Sequence, residues 1–549
     1  MIILGVSDHH DAGAALLVDG RIVAAVEQER IDRVRHSRAF PSGAIDAVLD
    51  RAHVRARDVD RIAVGTTFTP SSMLRARPEL SERVPGGVHD AWRAVQAGLR
   101  ISGLYMVELD ASRRVLERRF ARLGFERATV EMVEHDLAHA NVAYRTQPRD
   151  TCLVFTLDTP GDGAAITVSV ARHLHLSRVH LQTSMAAIAT LHRRVAGLLA
   201  VTEARLASLA AEGAPTPELR ALFHGEVRLD RGHFNRAPIL GQRDPLAARV
   251  RGLRAADVAA AAEDASGAVL REFVSSWIAR TGIGDVALAG TLAEDPRLVG
   301  ALVETPGLES LWVFPAAGDA GLALGAALAA GGTAVGPSPD LSLGPTYSDD
   351  DCYRQLSVAR LPRDKVDDPD ATTAALLAEG KVVCRFSGGV ELGPRSLGHR
   401  AVFFDAHDVR ARERAQRAMG RPVEQAPACV VPDHCFDADF PTWRIVADAT
   451  RYAAVALSAS PEFRARCAAV VQPDGTALPQ RVGPRDALAP LLTAWARHGR
   501  EVLGQASFNL HGQPVVCSPN DAVRAFRASK ADALVLGPYL VTRDATPPA

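Results

Sequence analysis

Apolar positions fall into short runs separated by acidic, glycine-bearing turns, and the first run opens the chain. Ile2 to Val6 predicts a strand, His10-Asp11-Ala12-Gly13 a turn and Ala14 to Val18 a second strand. Asp19-Gly20 then predicts a tight turn into a third strand, Arg21 to Glu27. An Asp-Gly pair between apolar runs marks a hairpin, because both residues tolerate the backbone angles of the turn. Beyond the charged segment from Glu27 to His36, Ser42 can cap a helix from Gly43 to Ala52. The same order returns later. Cys152 to Leu157 is β-branched and apolar and predicts a buried strand, Asp158 to Gly163 an acidic turn, and Ala164 to Ala171 a strand. Strand, acidic glycine turn, strand, occurring twice, is the duplication expected of actin-like and sugar-kinase folds, whose paired turns grip nucleotide phosphates. Two unrelated hairpins would show the same pattern.

Residues 70 to 128 predict an Arg-rich helical insertion broken by Pro-Gly-Gly at 85 to 87, and 185 to 280 predict further helices. Val286 to Thr291 predicts a strand into a small-residue turn, and Leu311 to Pro315 another strand. The second leads to Gly318-Asp319, a carboxylate at the start of an Ala/Gly-rich helix. Gly331 to Pro339, with Pro337 and Ser338, predicts a linker. A further α/β unit follows, with strands at Val382 to Phe386 and Ala401 to Phe404 around a glycine-punctuated loop. Two arginines in that loop, Arg395 and Arg400, suit phosphate oxygens, which guanidinium forks bind bidentately. Ser507 and Asn509 offer neutral hydrogen bonds to a small planar group. The expected division is 1–335, an entry segment 336–375, and 376–549.

A length of 549 residues fits two or more domains, and 47% hydrophobic with 23% charged residues is ordinary for a globular chain. A net charge of −1 argues against bulk binding to nucleic acid or membranes, and no run of 18 apolar residues predicts a span. The N-terminal run lacks a basic flank, so the cytoplasm is the expected location. Seven cysteines without a C-x-x-C spacing argue against a disulfide framework or a zinc ribbon. One stretch does carry chemistry. In Glu134-His135-Asp136-Leu137-Ala138-His139-Ala140 the two histidines are four apart, on one face of a helix. With Asp158 at the end of the next strand they suit iron or zinc, although a lone H-x-x-x-H also describes a surface pair.

Taken together, these motifs resemble the NodU/CmcH family of O-carbamoyltransferases, over nearly the whole chain. The most specific is Glu391-Leu392-Gly393-Pro394-Arg395-Ser396-Leu397-Gly398-His399-Arg400, against a family pattern E-F-G-P-R-A-L-G-N-R. His10-Asp11, Glu29-Arg30 with His36 and Phe40-Pro41, the His135–His139 motif, Ser507-Phe508-Asn509 and Pro514 to Cys517 complete the set, with Asp532 to Gly537. The resemblance implies an actin-like domain with an HxxxH metal site, followed by a YrdC-like domain. The YrdC-like domain would make carbamoyl adenylate from carbamoyl phosphate and ATP, with Mg2+. The actin-like domain would pass the carbamoyl group to a hydroxyl of a small, natural-product acceptor. His135, His139, Asp158 and Asp319 correspond to the ligands of an Fe2+ or Zn2+ ion. His10 with Asp11 would act as base, and Gly161, Asp162, Gly290 and Gly318 would line the nucleotide. Arg395, as a catalytic group, would join Arg400, Ser507 and Asn509 at the adenylating site. Departures occur at Ala289 to Glu294, where the family has G-G-V-A-x-N, at Glu203-Ala204-Arg205 in place of E-G-K, at 421–427, and at Leu478, where the family has arginine. They leave open a degenerate member that binds nucleotide or a partner without full catalysis. The acceptor, the choice between iron and zinc, and the oligomeric state are not legible.

Overall fold

The computed structural model describes residues 1–77, 95, 98–183, 185–237, 244–336, 340–422, 424–425 and 427–543. The Pro-Gly-Gly at 85–87, part of the helical insertion, Pro337 and Ser338 of the linker, and Val423 and Ala426 lie outside the described residues. The chain divides into two compact units, residues 1–25 with 36–337, and residues 26–35 with 338–549.

The first unit contains two five-stranded sheets. One comprises β1 (Ile2–Ser7), β2 (Gly13–Val18), β3 (Arg21–Glu27), β4 (Arg61–Val64) and β5 (Thr129–Met132), in the order β3-β2-β1-β4-β5. The other comprises β6 (Cys152–Gly161), β7 (Ala164–Arg172), β8 (His175–Thr183), β9 (Asp285–Ala289) and β10 (Ser310–Val313), in the order β10-β9-β6-β7-β8. The two sheets repeat one topology. In each, the central strand pairs antiparallel with its successor on one side and parallel with a later strand on the other. The duplication anticipated from the two acidic turns is therefore present in the strand order. Both central strands are almost fully buried, which is why they read as continuous apolar runs.

The first unit's helices include α1 (Tyr105–Arg122), α2 (His135–Arg145), α3 (Ile188–Leu198), α4 (Ala255–Thr281) and α5 (Leu322–Gly331). α5 is apolar all round and buried from Leu322 to Leu328, as suits a helix enclosed by protein. It lies so close to α2 that a Cβ at Gly325 would sit 2.0 Å from the Ala138 carbonyl oxygen. Glycine here lets the two backbones touch and fixes the helix that carries both histidines.

Two local expectations change. The helix near residue 42 starts at Ser42 itself, with Pro41 at the cap position and no side-chain capping bond. β6 runs on to Gly161, but its pairing with β7 breaks register between Leu157 and Gly161, so Asp158 lies in an irregular strand end rather than in a turn.

The second unit is built on a nine-stranded mixed sheet. Its central run is Ala533–Leu536, Val383–Phe386, Arg400–Asp405, Leu503–Ser507, Ala428–Pro432 and Thr476–Val482. Leu377, Phe403, Leu491, Trp495 and Val535 form the core beneath it. Residues 26–35 belong to this unit through directed bonds. Arg30 Nη2 donates to the Gly393 carbonyl (2.6 Å), Gly393 N donates to Glu27 Oε1 (2.7 Å), and Arg33 reaches the carbonyls of Pro514 and Val515 (2.8 and 2.6 Å). Three motifs far apart in sequence thus meet in one unit.

Candidate functional site

In the first unit, four side chains from three separate stretches converge. His135 and His139 come from α2, Asp158 from the broken end of β6, and Asp319 from the turn before α5. Their donor atoms all lie within 4.8 Å of one another. His135 Nε2 is 2.7 Å from Asp158 Oδ2, 3.1 Å from His139 Nε2 and 3.4 Å from Asp319 Oδ1. His139 Nε2 is 3.3 Å from Asp158 Oδ2 and 3.5 Å from Asp319 Oδ1. Edges of this size surround a point about 2 Å from each atom, the length of a bond from zinc or iron to nitrogen or oxygen. Asp319 Oδ1 is buried, faces both imidazoles and makes no aligned hydrogen bond, as suits an oxygen directed at a shared cation. Borderline nitrogen donors with hard oxygen donors fit a divalent transition ion. Burial disfavours the charged forms of all four groups. Their mutual attraction nevertheless prevails: both carboxylates are held well below the usual range, His135 is raised, and His139 is pushed up to about 10. The field of two carboxylates that holds protons on the imidazoles would equally hold a dication.

Further residues set this geometry. Thr291 donates to Asp158 Oδ1 through its backbone N (2.9 Å) and its hydroxyl (2.5 Å). Gly161 passes under the ring of His135, and a Cβ there would lie 2.4 Å from His135 Cγ. Asp162 is fully buried and its carboxylate accepts three backbone N–H bonds, from Thr67 (2.7 Å), Phe68 (3.0 Å) and His135 (3.1 Å). It therefore fixes the start of α2. The Asp8–Arg75 pair, almost fully buried, ties the end of β1 to the same Thr66–Thr67 loop, with Arg75 donating to Thr66 Oγ1 (2.6 Å) and to the Thr67 carbonyl (2.8 Å). Gly290 N donates to the Ala317 carbonyl (2.7 Å), and Gly318 N donates to Glu294 Oε1 (3.1 Å). Burial, then the charges of Asp11 and Asp319, push the Glu294 carboxyl up to about 7.

His10 and Asp11 stand beside this cluster. His10 Nδ1 is 2.8 Å from Asp11 Oδ2 and 3.9 Å from Asp319 Oδ2. His36 stacks on His10 with ring centroids 5.0 Å apart and contacts the other oxygen of Asp11 at 2.8 Å. His9, which the sequence motifs did not single out, comes nearer still, with Nδ1 3.3 Å from Asp319 Oδ2.

In the second unit, the loop from Glu391 to Arg400 is folded around one buried carboxylate. Glu391 Oε1 accepts from the N–H groups of Leu397 (2.9 Å), His399 (2.8 Å) and Arg400 (3.1 Å), and from Ser396 Oγ (3.1 Å). Arg400 is fully buried. Its guanidinium lies 3.6 Å over the Phe386 ring and donates to the carbonyls of Ser387 and Gly388. It holds the loop together. Arg395 sits half-buried on the loop. The next residue, Ser396, donates its N–H to Ser507 Oγ (3.0 Å). Arg421 Nη2 joins the Ser507 carbonyl (2.6 Å) to Asn509 Oδ1 (2.7 Å). Burial, then the nearby Arg35 charge, lowers Arg421 to about 10. Ser507, Asn509 and Arg421 are thus tied together, with the Arg395-bearing loop joined to them through Ser396, and Arg400 is built into the loop's interior.

A family model described as "Carbamoyltransferase N-terminus" matches residues 2–328, and one described as "Carbamoyltransferase C-terminus" matches residues 374–543. The nodulation protein NolNO of Sinorhizobium fredii is 27% identical over 568 residues, spanning 98% of this chain and 80% of that protein. The 3'-hydroxymethylcephem-O-carbamoyltransferase of Streptomyces clavuligerus is 29% identical over 238 residues, spanning 42% of this chain and 43% of that one. Among solved structures, component A of the (R)-2-hydroxyglutaryl-CoA dehydratase of Acidaminococcus fermentans is 17% identical, with a TM-score of 0.35, covering 60% of this chain and 97% of that one.

Proposed function

Since the chain belongs to the carbamoyltransferase family and is a transferase enzyme, we propose that it works in two steps. In the first, carbamoyl phosphate loses phosphate to water, and the carbamate formed displaces pyrophosphate from ATP to give carbamoyl adenylate. In the second, an acceptor hydroxyl attacks the carbamoyl carbon, AMP leaves and the hydroxyl proton is released. The observation that carries this reading is the convergence of His135, His139, Asp158 and Asp319 within 4.8 Å, inside the stretch matched by the N-terminal family model. An Fe2+ or Zn2+ ion held by these four groups would offset the negative charge that grows on the departing AMP.

The chain's own residues supply the rest. Asp162 and Thr291 orient α2 and Asp158 through backbone bonds. Asp11 accepts from His10 Nδ1 and so selects the tautomer whose other nitrogen is free to take the acceptor's proton. In the adenylating step Arg395 binds phosphate oxygens, while Ser507 and Asn509, held by Arg421, bind the planar carbamoyl group. Glu391 and Arg400 keep that loop in shape. The acceptor is a hydroxyl of a small natural product, in keeping with the named activity of the cephem relative. Incubation with ATP and carbamoyl phosphate tests the scheme. AMP and pyrophosphate should form only when both are present. Release of ADP, or no nucleotide turnover, would contradict it.

A further inference from the structure

A second set of donors lies in the same unit and has no part in the chemistry above. His192 on α3, Glu263 on α4 and Asp295, which precedes the short helix Pro296–Ala301, bring one ligand atom each within 4.8 Å of the others. His192 and Glu263 are only 7% and 6% exposed. His192 Nε2 lies 3.0 Å from Ser266 Oγ, a contact that fixes the ring as ligand-orienting partners do. Asp295 Oδ1 accepts from Arg297 N at 2.9 Å, which tethers that carboxylate to the helix start. Glu263 Oε1 is buried and makes no aligned hydrogen bond, its polar neighbours being the Asp295 carboxyl and the charge of Arg297. A buried carboxylate oxygen left unpaired costs free energy unless a proton or a cation answers it.

We propose that His192, Glu263 and Asp295 form a second cation site, which takes a divalent transition ion of the zinc or manganese type. One neutral imidazole with two carboxylates is a donor set such ions accept. The site also has mechanical leverage. Asp295 ends the turn Thr291–Glu294, and Thr291 at its start holds Asp158 in the four-donor cluster. Occupancy would brace the turn that positions Asp158.

The test uses the full chain carrying His135→Ala and His139→Ala, stripped of metal and titrated separately with Zn2+ and Mn2+ by calorimetry and equilibrium dialysis. One saturable equivalent of cation, lost on adding Glu263→Gln, is the expected result. No saturable binding, or binding that survives Glu263→Gln, would overturn the proposal. If the double-alanine protein does not fold, the wild-type chain and its Glu263→Gln variant give the answer. Loss of one equivalent in the variant supports the site, and equal stoichiometry rejects it. Since His135 and His139 are absent from the first titration, its outcome is independent of the role proposed for them.

Discussion

Asp162→Asn separates an anchoring role from a ligand-binding one. The carboxylate is fully buried and accepts N–H bonds from Thr67 (2.7 Å), Phe68 (3.0 Å) and His135 (3.1 Å). An amide replaces one acceptor oxygen with a donor. If its nitrogen takes the position of Oδ1, the Phe68 N–H is left facing another donor, at a cost of about 1–3 kcal/mol. The two surviving bonds lose their charged acceptor, at about 1 kcal/mol each. Relief from burying a charge returns part of this, leaving a net loss of about 2–4 kcal/mol. That is a large fraction of the ~5–15 kcal/mol that typically holds a domain. Urea unfolding followed by circular dichroism should show the loss in the variant without any nucleotide present. A change below about 0.5 kcal/mol, the range of ordinary surface substitutions, would refute the anchoring role.

Gly161→Ala should push a methyl group to 2.4 Å from His135 Cγ and turn the ring. Cation affinity, measured by equilibrium dialysis, should fall by about 10–100-fold, and unchanged affinity would count against His135 as a ligand. Arg395→Ala should stop formation of AMP and pyrophosphate yet spare transfer from supplied carbamoyl adenylate, whereas loss of both would point to a folding role. The His399–Asp340 pair should stabilise the second unit in a defined pH window. Burial lowers His399, but the Asp340 bond outweighs it and the imidazole is raised, while Asp340 is lowered to about 2. A raised histidine contributes fully below its unfolded value of about 6.5, and its contribution is lost as pH climbs through the folded value. The lowered carboxylate contributes above its unfolded value of about 3.9, and that contribution is lost on acidification. The Tm difference between the wild-type chain and His399→Asn should therefore be greatest between about pH 4 and 6.5 and shrink above it. A difference that is flat in pH would contradict the pairing.

The parts of the structure legible from sequence are those written locally. Runs such as Ile2–Val6 and Cys152–Leu157 mark the first strand of each repeat, because apolar runs and the turns that end them act over a few residues, whereas the order of strands in each sheet comes from the structure. His135 and His139 were readable as a pair because their four-residue spacing is a property of one helix. Partners fixed by tertiary approach were not. Nothing near Asp162 in sequence signals that it caps α2 through the His135 N–H, nor that Thr291 holds Asp158. No sequence motif singles out His9, yet its Nδ1 lies 3.3 Å from Asp319 Oδ2. Arg400 looked equivalent to Arg395, yet its stacking on Phe386 encloses it in the loop. At Ser42, the preceding proline occupies the cap position that the hydroxyl was expected to fill.

The central claim is that two imidazoles and two carboxylates hold a cation on which carbamoyl transfer depends. Replacing His135 and His139 together with alanine, then assaying bound metal alongside transfer from supplied carbamoyl adenylate to a hydroxylated acceptor, tests it most directly. The account predicts loss of one cation equivalent and of transfer, with ATP still cleaved to AMP and pyrophosphate in the presence of carbamoyl phosphate. Transfer at the wild-type rate from a protein lacking that cation would contradict it.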